Sequence, residues 1–180
     1  MKLMDLTPLA REPMRLAAPG RLVFGLLFLS LLINIMPWPR ASLWIRPDFV
    51  LIVLLYWTLF QPRTIGMGWG FILGLVMDVA DSVVLGQYAF SYVMAIFALQ
   101  FLRLRLLQLS IFEQAIHAGA VVLLAHSLRA LLDVLLNRDF PGWSMLIAPA
   151  LAAAVWLLVH YVATLPRFRR QRQIIRGFND

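Results

Sequence analysis

Residues 46–86 read RPDFVLIVLLYWTLFQPRTIGMGWGFILGLVMDVADSVVLG, and this stretch decides the fold. Two long apolar runs are joined by a Pro-Arg turn, and the second run repeats glycine at every fourth position before it reaches an aspartate. Apolar runs of this length are typical of segments that lie in lipid, and the glycine spacing allows helices to pack closely. A lone acid at that depth needs a partner. The stretch therefore predicts a membrane protein built as a helix bundle.

The composition indicates the same class of protein. Apolar residues make up 62% of the 180 positions and charged residues 14%, against about 25% charged residues in ordinary soluble domains. The net charge of +7 comes mainly from arginines that flank the apolar runs, which is typical of a topology signal and of lipid contact rather than of nucleic-acid binding. The absence of cysteine excludes disulfides, thiolate metal sites and cysteine nucleophiles.

Six apolar stretches divide the chain. They cover residues 20–37, 48–61, 65–84, 88–103, 111–136 and 145–165. If all six cross the membrane, twelve basic residues fall on one side and three on the other, so the positive-inside rule places both termini in the cytoplasm. We predict an all-α integral membrane protein, a compact bundle of six transmembrane helices. The expected divisions are a cytoplasmic N-terminal segment at 1–19, the bundle at 20–165 and a basic cytoplasmic tail at 166–180.

The glycines of the third stretch lie nearly on one line of its helix. Gly66, Gly70 and Gly74 recur every four residues, and Asp78 continues the line. Two interpretations stay open. The glycines either pack this helix against a neighbour within the bundle, which we favour because a six-helix protein needs internal interfaces, or they form a docking groove for the transmembrane helix of another protein.

Five ionisable residues are expected to form a buried polar network among the helices. Asp78 and Asp81 lie one turn apart near the outer end of the third helix, and His126, Arg129 and Asp133 form a stripe on the fifth. An unpaired carboxylate in hydrocarbon costs at least about 2.5–3.5 kcal/mol. We therefore expect Arg129 to pair with Asp133 or, across the bundle, with Asp78. No HExxH motif accompanies these residues, and we expect no catalytic site, no metal and no cofactor.

The loop after the first stretch carries Trp38, Trp44, Arg46 and Asp48. The tryptophans are typical of anchors at the level of the lipid headgroups. Arg46 and Asp48 flank a proline that bends the chain at the membrane edge, and Asp48 is well placed at the first turn of the second helix. For Arg46 and Asp48, capping of the helix and contact with a partner protein both stay open.

A series of short motifs runs through the same part of the chain. In order they are Ile35-Met36-Pro37-Trp38-Pro39, Arg46-Pro47-Asp48, Leu55-Tyr56-Trp57, Pro62-Arg63, the set Gly66, Gly68, Gly70-Phe71, Gly74 and Asp78, and Leu85-Gly86. With these motifs the sequence resembles the MreD family of rod shape-determining proteins. It departs from the family pattern in the turn after Asp78, where members often carry a glycine and this chain has Asp81-Ser82.

The resemblance implies a non-catalytic component of the bacterial inner membrane, needed for rod cell shape and peptidoglycan synthesis. Similar proteins work in the elongasome, the machinery that elongates the lateral wall, beside the single-span periplasmic protein MreC, the MreB filament, and a RodA-type glycosyltransferase with its transpeptidase. The family fold looks like the substrate-binding membrane subunits of energy-coupling-factor transporters. On this basis the glycine face and the loop residues Trp38, Trp44, Arg46 and Asp48 would receive the transmembrane helix of MreC and the segment beside it.

A different class of function stays open as an alternative, namely a small-solute-binding or transport subunit of the membrane. Its ligand would lie near Asp78, His126 and Arg129, because these polar groups are expected to face the interior of the bundle. A sealed pocket lined by convergent donors and acceptors would distinguish this alternative from an adaptor that presents a helix face.

Overall fold

The computed structural model describes residues 19–38, 46–136 and 147–176, and within them the chain forms six helices and no strand. The helices are α1 Gly20–Ile35, α2 Phe49–Phe60, α3 Met67–Ala80, α4 Gln87–Leu106, α5 Ile111–Leu135 and α6 Ile147–Arg176. The predicted all-α fold with six helices is confirmed. Trp44 and most of the predicted N-terminal segment lie outside the described residues.

Helix α2 occupies the centre of the bundle. All its residues from Val50 to Leu59 are buried, and the helix contacts each of the other five. Around it, α3 packs on α4, α4 on α5 and α5 on α6, while α1 packs mainly on α2. A helix that is apolar on every side must be enclosed by other helices or lipid, and α2 has this composition, FVLIVLLYWTLF.

Two of the described helices are long and apolar enough to cross a membrane, namely Gln87–Leu106 and Ile111–Leu135. The apolar parts of the other four are shorter, and α2 has only 12 residues. At about 1.5 Å per residue α2 is about 18 Å long, against a hydrocarbon thickness of about 30 Å. Length and composition alone therefore single out α4 and α5 as candidate spans.

Local capping explains where several helices begin. Asp48 is the N-cap of α2 and accepts a hydrogen bond from the Leu51 N–H at 3.1 Å. Ser110 and Glu113 form a capping box at the start of α5. Gly86 begins α4 with φ at +99°, a left-handed conformation that glycine adopts without steric cost.

The sixth helix passes the predicted boundary between bundle and tail without a break. It runs from Ile147 to Arg176, although Pro166 lies inside it and removes one backbone donor. The apolar part of this helix ends at Thr164. Residues 166–176 therefore continue helix α6 beyond its apolar part.

Candidate functional site

The side chain of Asp48 is the centre of a buried polar cluster. Besides capping α2, its carboxylate accepts a hydrogen bond from the Asn34 amide nitrogen of α1 at 3.2 Å and from the Tyr92 hydroxyl of α4, which lies 2.7 Å from each oxygen. Asp48 is 6% exposed. One carboxylate thus joins the start of α2 to two other helices.

Arg129 of α5 completes the surroundings of this carboxylate. Its Nη1 atom lies 4.0 Å from Asp48 Oδ2, an ion pair rather than a hydrogen bond, and its guanidinium carbon lies 4.2 Å from the ring centroid of Tyr88, a cation–π distance. We predicted that Arg129 pairs with Asp133 or with Asp78. Both pairings were wrong, because among the described residues Arg129 forms its ion pair with Asp48. The reason is that α2 packs against α5, which brings its N-cap Asp48 within reach of Arg129.

A second part of the cluster links the segment before α2 to the end of α3. Arg46 donates from Nη2 to Asp81 Oδ2 at 2.7 Å and from Nη1 to the backbone oxygen of Asn34 at 3.1 Å, and the Tyr88 hydroxyl donates to the same Asp81 oxygen. Burial lowers the pKa of the Arg46 guanidinium, but the negative charge of Asp81 and other neighbours raise it by more, so this pKa lies above its usual value. The arginine stays charged.

Asp78 serves a turn rather than an ion pair. Its two carboxylate oxygens accept backbone N–H groups, from Gly86 at 2.8 Å and from Tyr88 at 2.6 Å. These donors are the N-cap and a first-turn residue of α4, whose N–H groups have no acceptor within their own helix, and a negative charge is favourable at a helix N-terminus. The buried acid is thus satisfied without a positive partner, which explains why Arg129 does not pair with it.

The other two predicted network residues, Asp133 and His126, make no hydrogen bond with Asp48 among the described contacts. Asp133 accepts a hydrogen bond from the Gln87 side chain at 2.6 Å. The Nδ1 atom of His126 lies 2.9 Å from the Val122 backbone oxygen of its own helix. The polar contacts around Asp48, Asp81 and Asp133 are connected, because Tyr88 contacts both Asp81 and Arg129 and because the Gln87 side chain also donates to the Arg129 backbone oxygen at 3.4 Å.

Sequence reasoning missed Asn34, Gln87, Tyr88 and Tyr92. Two signals could have found them. Tyr88 and Tyr92 are four residues apart and so share one face of α4, and Asn34 is a lone amide in an apolar run. Both signals mark a polar side chain that needs a buried partner.

The line of glycines in α3 packs against α4 within the chain. A β-carbon on Gly74 would lie 2.6 Å from the Ala89 backbone nitrogen, and one on Gly70 would overlap the end of the Ile96 side chain. Gly66 has more room, with Pro62 O at 3.7 Å from such a β-carbon. The interior packing that we favoured is thus present at Gly70 and Gly74, and a docking groove for another protein there is contradicted because α4 already fills it.

The described loop residues of the first connection, Trp38, Arg46 and Asp48, bond other parts of the chain. The Trp38 indole donates to the Ile33 backbone oxygen at 3.0 Å, Asp48 caps α2, and Arg46 bonds Asn34 and Asp81. Capping is therefore the observed role of Asp48. Within the described residues no group of three or more histidines, cysteines or acids could hold a metal.

The fold and this cluster define a class of protein. It is a helical bundle with candidate membrane spans, and buried charged side chains connect its helices at one end. The profile of the family described as rod shape-determining protein MreD matches residues 14–164, and the chain belongs to that family. It is 28% identical over 136 residues to the Rod shape-determining protein MreD of Haemophilus influenzae, covering 74% of this chain and 83% of that protein. No solved structure gives a significant match. The resemblance seen in the sequence is confirmed.

Proposed function

We propose that the chain is a non-catalytic adaptor of the bacterial inner membrane in the machinery that elongates the lateral cell wall. It would cross the membrane six times with both termini in the cytoplasm, in a bundle like that of energy-coupling-factor substrate-binding subunits. It would bind an MreC-type single-span protein, and an MreB-type filament and a RodA-type glycosyltransferase with its transpeptidase would belong to the same assembly. The observation that carries this proposal is the family assignment over residues 14–164.

The distribution of apolar side chains supports a position in the membrane. Phe101 is 83% exposed, Leu104 75% and Phe112 71%, although many smaller apolar residues are fully buried around α2. Exposed apolar patches of this kind mark surfaces that meet lipid or other proteins. Because most of the described residues lie in helices, an adaptor of this kind would act by presenting helix faces.

The outward faces of α1 and α3 are the best candidates for the partner helix. Phe24 of α1 and Trp69 of α3 are in contact there, with ring centroids 5.3 Å apart. A β-carbon on Gly25 or on Gly68 would meet no atom within 4 Å, so both glycines are open to a second backbone. A partner helix could pack closely on this α1–α3 face, in contrast to the covered edge of Gly70 and Gly74.

Co-purification tests the proposal. The full chain, extracted in mild detergent, should retain a single-span periplasmic protein, identified by mass spectrometry. The variant Gly68→Leu should lower that yield severalfold at unchanged thermal stability, because the new side chain would hold the partner's helix away from α3. Ala120→Leu adds similar bulk to an exposed position of α5 and should leave the yield unchanged. Absence of any single-span protein from the wild-type preparation would refute the adaptor.

The alternative of a solute-binding or transport subunit receives little support from the same geometry. Its predicted ligand groups do not converge, since Asp78 bonds the backbone of α4, Arg129 pairs with Asp48, and His126 lies against its own helix. A solute site needs polar groups directed at a shared space. Here the three predicted ligand groups each contact another part of the chain instead.

A further inference from the structure

The two ends of the bundle differ in charge. The hydrogen bond from Arg103 Nε to the Leu59 backbone oxygen, at 2.9 Å, shows that α2 and α4 end side by side, and the short connections place the starts of α1, α3 and α5 at that same end. We name this the arginine end. Its described basic residues are Arg21, Arg63, Arg103 and Arg105. The opposite end holds Asp48, Asp78, Asp81 and Asp133 with Arg46 and Arg129.

The guanidinium groups of the arginine end lack negative partners in the part of the chain that the structure describes. Arg21, Arg63 and Arg105 are exposed, and the ion pairs found among the described residues both lie at the other end. The one described acid nearby, Glu113, directs a carboxylate oxygen to the Ser110 N–H at 2.7 Å. Among the described residues, the arginine end is thus a rim of four arginines and one glutamate with a net positive charge.

Apolar side chains lie directly beside this rim. Phe101 and Leu104, 83% and 75% exposed, precede Arg105 on the last turns of α4. The apolar part of α6 ends at Thr164, and the helix then continues through arginines at 167, 169 and 170. At about 1.5 Å per residue these positions fall about 4–9 Å beyond Thr164, comparable with a headgroup layer of about 5–8 Å. In both helices, arginines therefore follow directly after the apolar part.

We propose that the arginine end binds the phosphodiester headgroups of anionic phospholipids, phosphatidylglycerol being the simplest example. Guanidinium groups match phosphate geometry with paired N–H donors, and the apolar side chains beside them would cover the acyl chains. Lipid is favoured over an acidic protein because the charges form a rim around an apolar surface. The inference rests on the membrane position in the proposed function and adds a lipid class and its residues.

Native mass spectrometry of the full chain, titrated with phosphatidylglycerol or with phosphatidylethanolamine, tests this inference. The wild type should bind phosphatidylglycerol the more tightly. Each basic residue near an anionic surface contributes about 1 kcal/mol to the binding free energy, or about fivefold in affinity. The double variant Arg63→Gln with Arg105→Gln should therefore bind phosphatidylglycerol at least tenfold more weakly. Lysine at both positions should restore most of that affinity. The matched control, Arg40→Gln with Arg138→Gln, removes two positive charges from the connections that follow α1 and α5 in the sequence, and should stay within twofold of the wild type.

Three results would overturn the inference. The wild type could bind both lipids equally, the glutamine pair could bind phosphatidylglycerol as the wild type does, or the control pair could lose as much affinity as the test pair. If the variant Arg63→Gln with Arg105→Gln lost a co-purifying acidic protein and kept its lipid affinity, the arginine end would bind a protein rather than lipid. Capture of the single-span partner is measured separately, so failure of the adaptor and failure of the lipid site can be told apart.

Discussion

The side chain of Asp48 connects four helices of the bundle. Its carboxylate caps α2 and also receives Asn34, Tyr92 and Arg129 from three further helices. A buried charge with this many partners is stable only while all of them are in place. We infer that the residue fixes how the helices meet at this end of the bundle.

Replacing Asp48 by alanine should therefore destabilise the protein strongly. Removing one partner of a buried ion pair costs about 3–5 kcal/mol, and Tyr92→Phe, which removes one hydrogen bond, should cost about 1–2 kcal/mol. Thermal unfolding in detergent measures both. Tyr161→Phe changes a tyrosine that is 63% exposed and serves as the control. A melting temperature for Asp48→Ala equal to that of the control would contradict this role.

Ser82 has a strained backbone in the turn after α3. Its φ is +54°, and it is the residue other than glycine that has a positive φ in the described part of the chain. A side chain in this conformation costs roughly 1–2 kcal/mol. Ser82→Gly should be neutral or stabilising by up to about 1 kcal/mol, because relief of strain is partly offset by chain entropy, whereas Ser82→Val should be destabilising. The opposite order of melting temperatures would show that the turn is unstrained.

At the level of the element, α3 has two faces with different tolerance for side chains. The Gly74 edge is filled by the backbone of α4, while nothing lies near Gly68. Gly74→Ala should lower stability by about 1–3 kcal/mol through overpacking, and Gly68→Ala should raise it by up to about 1 kcal/mol through helix propensity. The yield and melting temperature of the two single-methyl variants provide the comparison. Equal tolerance at both positions would mean that α3 packs on α4 differently.

The sequence predicted the helices well and their partners poorly, for physical reasons. Long apolar runs broken by Pro62, Gly86 and similar residues mark each helix, so the six predicted stretches agree with the observed helices apart from the extension of α6. Which carboxylate meets Arg129 depends on how α5 is rotated against α2, and no local pattern encodes that rotation. Glycine spacing likewise identified an edge that packs closely but not which helix covers it.

At the scale of the whole molecule, the charge difference between the two ends predicts the orientation. Of two reporter enzymes fused after Asp180, the one that is active in the cytoplasm should give a signal and the one that is active in the periplasm should not. The reason is that the arginine end should face the cytoplasm. A reporter inserted after Arg138, in the connection between α5 and α6, should report the periplasm. Detection of the Asp180 fusion in the periplasm would rule out six spans with cytoplasmic ends.

The adaptor proposal depends on one helix face, that of α1 and α3, meeting a single-span partner. Photo-crosslinking in cells tests this contact directly, with the reactive side chain at Ile72, which is 53% exposed on α3, or at Ile116, which is 68% exposed on α5. The account predicts an adduct with a single-span periplasmic protein from position 72 and none from position 116. Adducts with lipid alone at position 72, or the same protein adduct at both positions, would contradict it.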